Sequence, residues 1–171
     1  MPDSDEAVRD FTTAIHGMAG QVKSAWRQAF GQKIGLSQAT AEDEALITSL
    51  LSTMSENQAD FTNTFRALAT DSAPRDQFTD PAAFDSWEPV WRARIAAETD
   101  PYGLMQSVNP ARIPRNHRVE QMIQAAEEGD MAPFQRLMAS LAHPFTDDAT
   151  FADLTHPPKP GEEVKQTFCG T

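Results

Sequence analysis

The chain has 171 residues, enough for one domain with a hydrophobic core and a loose tail, without requiring a second domain. At 40% hydrophobic and 8% aromatic it is globular material, and a formal net charge of -11 argues against a general nucleic-acid binder, which needs a basic stripe to track phosphates. No apolar run is long enough to cross a bilayer, and residues 1–10 are acidic where a secretory leader would be basic, so a cytoplasmic location without a membrane partner is expected.

Residues 7–30 are predicted to form the first helix. Val8, Phe11, Ile15, Met18, Val22, Trp26 and Phe30 recur at spacings of three and four, which places them on one apolar stripe. Gly17 and Gly20 weaken this helix as packing points or bends, and Gly35 is its expected stop. Thr40 or Ser37 caps a second helix that opens near Glu42-Asp43-Glu44 and turns Leu46, Leu50, Leu51 and Met54 inward. Asn57 is the expected cap of a third helix, with Asp60 in its first turn and Phe61, Phe65 and Leu68 on its buried side. Residues 71–79, with Pro74, read as a loop. Phe84, Trp87, Trp91 and Ile95 restore helical spacing; because Pro89 suits a first turn, this helix is expected to begin near Glu88 and to end at residues 99–101.

The stretch over residues 101–118, Pro-Tyr-Gly-Leu-Met-Gln-Ser-Val-Asn-Pro-Ala-Arg-Ile-Pro-Arg-Asn-His-Arg, organises the rest. Pro110 and Pro114 oppose a regular helix, while the Asn-Pro and Pro-Arg-Asn-His steps supply turn and cap chemistry. Two readings follow: a buried connector pinning helices together, or a segment that docks onto something outside this chain. Residues 119–128 then form a helix stopped by Gly129, and Asp130 caps a last helix over residues 131–143. Pro144 opens an acidic tail with Phe145, Phe151 and Leu154 as docking residues, made extended by Pro157, Pro158 and Pro160. Alternating apolar residues are too few for a sheet. The expected fold is all-α, an irregular multi-helix bundle over residues 1–145 with proline-rich connectors, followed by a partly extended tail over residues 146–171.

The chemistry legible in the residues is sparse. No glycine-rich phosphate loop occurs, nor the paired aspartate motifs of a protein kinase. His16, His117, His143 and His156 have no helical zinc spacing and read as adventitious. Arg115, Asn116, His117 and Arg118, with Asn109 upstream, form the best polar constellation. As a docking site the guanidinium groups would hold a carboxylate or phosphate; as structure, Asn116 caps the helix near Val119 and the arginines pair with acids of neighbouring helices. The structural reading is preferred. The single cysteine, Cys169, excludes an intramolecular disulfide. It reads either as a small hydrophobe or as an accessible redox thiol.

Residues 33–36 (KIGL), 59–68 (ADFTNTFRAL) and above all 105–118 (MQSVNPARIPRNHR) resemble the C-terminal region of the selenoprotein O family. The corner at residues 125–130 (AAEEGD), residues 141–145 (LAHPF) and the terminal FCGT extend the resemblance over nearly the whole chain. It implies a C-terminal module, as a fragment or a shortened reading frame, of a protein adenylyltransferase that uses ATP and Mg²⁺ or Mn²⁺ to place AMP on Ser, Thr or Tyr hydroxyls of protein substrates. The catalytic, nucleotide-binding and metal-binding residues of that family belong to a kinase-like domain upstream, which becomes the expected partner in cis or as a separate chain. The resemblance also implies that Cys169 is a redox latch toward a cysteine near that catalytic region, although Gly170 and Thr171 stand where serines are frequent. The other reading is a stand-alone acidic helical protein-binding module.

Overall fold

A computed structural model describes residues 4–165, which form α-helices and short 3-10 turns and contain no strand. The all-α expectation therefore holds. Cys169 lies outside the described residues.

Helix α1 (Ser4–Lys33) ends in a hydrogen-bonded reversal: the Leu36 N–H donates to Gly31 O (2.9 Å) and the Gly35 N–H to Gln32 O (3.0 Å). Gly35 takes a φ of +90°, which favours glycine, and a Cβ there would also lie 2.9 Å from Pro101 Cβ. The reversal drives Ile34 and Leu36 into the core on either side of the glycine. A 3-10 turn (Ala41–Asp43) leads into α2 (Glu44–Glu56); the Asp43 carboxylate accepts from the Thr40 N–H (2.8 Å), as the expected cap at Thr40 requires.

Four expectations about the helix starts need correction. Helix α3 (Phe61–Thr70) is capped by Asp60, whose Oδ1 accepts from the Asn63 N–H (2.8 Å), while Asn57 closes α2 instead. Helix α4 (Pro81–Ile95) starts at the Asp80-Pro81 signal rather than near Glu88 and runs through Pro89. Pro89 is exposed, so the carbonyl that loses its intrahelical donor faces water, which lowers the cost. The first part of the proline-rich stretch is itself helical: Asp100 caps α5 (Pro101–Val108), and Pro101 sits where its missing N–H costs nothing. Finally, α6 (Asn116–Glu127) begins with Arg115 as its cap residue, so Asn116 is the first helical residue and not the cap. Helix α7 (Ala132–Leu141) and a 3-10 segment (Ala149–Thr155) complete the order.

Helix α3 lies against α5, α2 against α4 and α6 against α7, and α1 meets α2 and α5. The core runs through α2 to α5: Ile47, Leu50, Met54, Phe65, Leu68, Phe84, Trp87, Trp91, Ile95 and Met105 pack with Ile34 and Leu36. Trp87 and Trp91 stack with ring centroids 5.5 Å apart, and each donates its indole N–H to a backbone carbonyl, Leu46 O (3.0 Å) and Ile34 O (2.8 Å). The Trp91 bond fastens α4 to the reversal after α1. Trp91→Ala should therefore cost about 3–5 kcal/mol, through lost packing and an unpaired Ile34 carbonyl; urea unfolding followed by circular dichroism measures it, and a loss below about 1 kcal/mol would contradict the placement.

Candidate functional site

The connector between α5 and α6, residues 109–115, is buried at Asn109, Ala111, Arg112 and Arg115. A segment with no helical ladder of its own must find partners for its polar groups elsewhere, and each partner it finds is another element. The Asn109 amide donates to Lys33 O (2.9 Å) and its Oδ1 accepts from Lys33 Nζ (3.2 Å), closing a pair of bonds with the last residue of α1. Its backbone carbonyl accepts from Arg66 Nη1 on α3 (3.0 Å). Ala111 and Arg112 donate their N–H groups to Pro144 O (2.8 and 3.2 Å), and the Arg112 guanidinium donates to Ser140 O and His143 O, satisfying carbonyls at the end of α7. Phe151 lies against the same guanidinium, 5.5 Å from ring centroid to Arg112 Cζ.

Arg115 makes the strongest contact. Nη1 and Nη2 donate to the two carboxylate oxygens of Asp60 (2.7 and 2.8 Å), and Nη2 also reaches Asn63 Oδ1 (3.1 Å). The fork joins the residue that caps α3 to the residue that opens α6. Burial raises the Asp60 carboxyl, but the Arg115 fork and the Asn63 N–H outweigh it and hold the group below the usual carboxylate range.

Of the residues singled out in the sequence, Asn109 and Arg115 lie within this network. Asn116 is exposed, and His117 is buried with Nε2 unpartnered. Arg118 turns the other way, to Gln121 Oε1 (3.0 Å) and Asp153 O (3.0 Å). Two members were not foreseen. Lys33 is pushed down by burial and sits over the rings of Phe61 and Phe65, 5.6 and 5.4 Å from their centroids. Arg66 bridges Asn109 O to the Asp147 carboxylate. Their only sequence signal is a cation on an otherwise aromatic or apolar helix face.

As chemistry, this is a clamp. Its guanidinium groups are engaged by carbonyls and by Asp60. Among the described residues no group of three or more His, Cys, Asp or Glu side chains is placed so as to hold a metal ion. No described helix is long and apolar enough to cross a membrane.

The buried connector ties α1, α3 and α7 to the start of α6, and comparison with known proteins says to which family such a chain belongs. Residues 7–142 match the family model described as protein adenylyltransferase SelO. A protein nucleotidyltransferase YdiU of Roseobacter denitrificans is 50% identical over 171 residues, covering 100% of this chain and 36% of the relative. The corresponding protein of Ruegeria pomeroyi is 48% identical over 169 residues, again 36% of its length. The chain belongs to the SelO family, and it spans about a third of the length of these curated relatives.

The clamp predicts a separable result at Asp60. Asp60→Asn keeps a competent cap but removes the charge, and should cost about 2 kcal/mol by stranding the buried Arg115. Asp60→Ala should cost about 1 kcal/mol more by losing the cap as well. Because the folded-state carboxyl is held low, its contribution is full above the unfolded value of about 3.9 and is lost as pH falls through the lower folded value. Wild-type stability should accordingly fall more steeply than that of Asp60→Asn below about pH 4, as acid-limb denaturation curves will show. Equal slopes would contradict the assignment.

Proposed function

We propose that the chain is the helical accessory region of a protein adenylyltransferase, and that it braces a kinase-like catalytic domain lying upstream. The observation that carries this reading is the free face of α1. Val8, Phe11, Ile15, Met18 and Val22 are 47–68% exposed, in the same register that takes Trp26 and Phe30 against the core. Residues 8–22 carry this stripe over about 21 Å of helix. Apolar residues at core spacing on an exposed face mark a surface made for another surface. The relatives, named as nucleotidyltransferases, have the additional length to supply one.

In this reading the upstream domain binds ATP and Mg²⁺ or Mn²⁺ and transfers AMP to Ser, Thr or Tyr hydroxyls of protein substrates in the cytoplasm. The present residues supply position only. The connector fixes α1 relative to the core through Lys33 and Asn109, so a domain seated on the stripe is held at a set angle to the bundle. Cys169 is proposed as a redox latch toward a cysteine of that domain.

The test adds the 171-residue chain to the separately expressed remainder of the Roseobacter denitrificans relative. Calorimetry should show association, and AMP transfer to a protein substrate should rise. A Phe11→Asp, Met18→Asp double variant should leave the thermal stability of the chain within about 0.5 kcal/mol, because both sites are exposed. It should weaken association at least about ten-fold, about 1.4 kcal/mol. Wild-type binding by the double variant, or no association by either, would overturn the proposal.

A further inference from the structure

The free face of α1 has a different period from the face that meets the core. Val8, Phe11, Ile15, Met18 and Val22 step by three, four, three and four, whereas Val22, Trp26 and Phe30 step by four. The first five are exposed, while Trp26 and Phe30 pack against the core. Steps of four follow the i±4 ridge, which crosses its partners steeply in globular packing. Alternation of three and four is a seam of 3.5-residue period, which lays one helix alongside another at about 20°. At about 100° per residue the five side chains fall within about 80° of arc, narrower than the stripe that a helix turns toward a broad core.

The positions beside the seam carry the same signal. Ala7, Thr12, Ala14, Ala19 and Gln21 flank the five; all are exposed and none is charged. Thr13, Gly17 and Gly20 lie on the far side, and a Cβ at either glycine would meet nothing within 4 Å. Small flanking side chains let a second helix axis approach to about 8–10 Å, and they offer a charged flank on that helix nothing to pair with.

We infer that α1 docks along a single helix of the upstream domain, about two heptads long, apolar on its facing side and uncharged beside it. This inference deepens the proposed bracing role and rests on it. The seam is continuous with a contact already made, since the same helix carries Trp26 and Phe30 into the core. The chain covers 36% of each of the two relatives, which leaves them the length to supply the helix. Pairing with a second copy is opposed by a net charge of -11 on each chain.

The test places the photo-crosslinker benzoylphenylalanine at Phe11 or at Met18 of the full chain, adds the separately expressed remainder of the Roseobacter denitrificans relative, and maps the attachment sites by mass spectrometry. Positions 11 and 18 lie about 10.5 Å apart along α1. On a helix their attachment sites should fall about seven residues apart within one segment, whereas on a strand the same length spans about three. Ala14→Arg, beside the seam, should weaken association at least about ten-fold, and Thr13→Arg, on the far side, by less than about two-fold. Sites about three residues apart, sites on separate segments, or equal effects of the two arginines would overturn this inference and leave the bracing role standing. Crosslinks only to a second copy of the chain, or no association of the wild-type chain, would overturn both.

Discussion

The fork between Arg115 and Asp60 is the constraint on which the arrangement of the bundle rests. Both residues stand at helix starts, so one ion pair sets where α3 and α6 begin relative to each other. The pair is largely withdrawn from water, and in that setting a missing partner costs more than the intact pair gains. The segment leading to Arg115 cannot then drift. Asn109 is held to the end of α1, and Arg112 to the last carbonyls of α7. A stretch without regular structure thereby fixes four helices, because its polar groups have no partners nearer home.

That rigidity gives the exposed part of α1 its meaning. The C-terminal part of the helix is tied to the bundle through the reversal at Gly35, the Lys33–Asn109 bonds, the ion pairs of Lys23 and Arg27 with Glu44 of α2, and Trp26 and Phe30 packed against the core. Its N-terminal half carries the apolar face away from the core. A loosely attached helix would pay an ordering cost on docking; one clamped at its root presents its face already oriented. In the proposed reading the two features act together, the buried polar contacts holding the root of a helix whose exposed apolar face is to be docked.

Much of this was legible in the residues. Spacing placed the helices, Gly35 marked the end of α1, and the Asn-Pro and Pro-Arg-Asn-His steps marked the connector as the organising stretch. What failed was competition between local signals. Asp60 could stand in a first turn or cap it, and in the fold its Oδ1 accepts from the Asn63 N–H, which makes it the cap. Pro89 resembles a helix start until Asp80-Pro81 supplies a better one, and Pro101 likewise opens a helix instead of ending structure. Lys33 and Arg66 were passed over because a cation's partner on a distant carbonyl leaves no trace in spacing. The stripe on α1 read clearly as apolar, but periodicity says only that a face is to be covered and not by which chain.

The central claim is that a partner covers the apolar face of α1, and hydrogen exchange along that helix tests it most directly. Exchange at residues 8–22 should be measured in the chain alone and in the presence of the remainder of the Roseobacter denitrificans relative. The account predicts at least about ten-fold slower exchange across those residues in the mixture. Unchanged exchange there, with protection gained only on other helices, would contradict it.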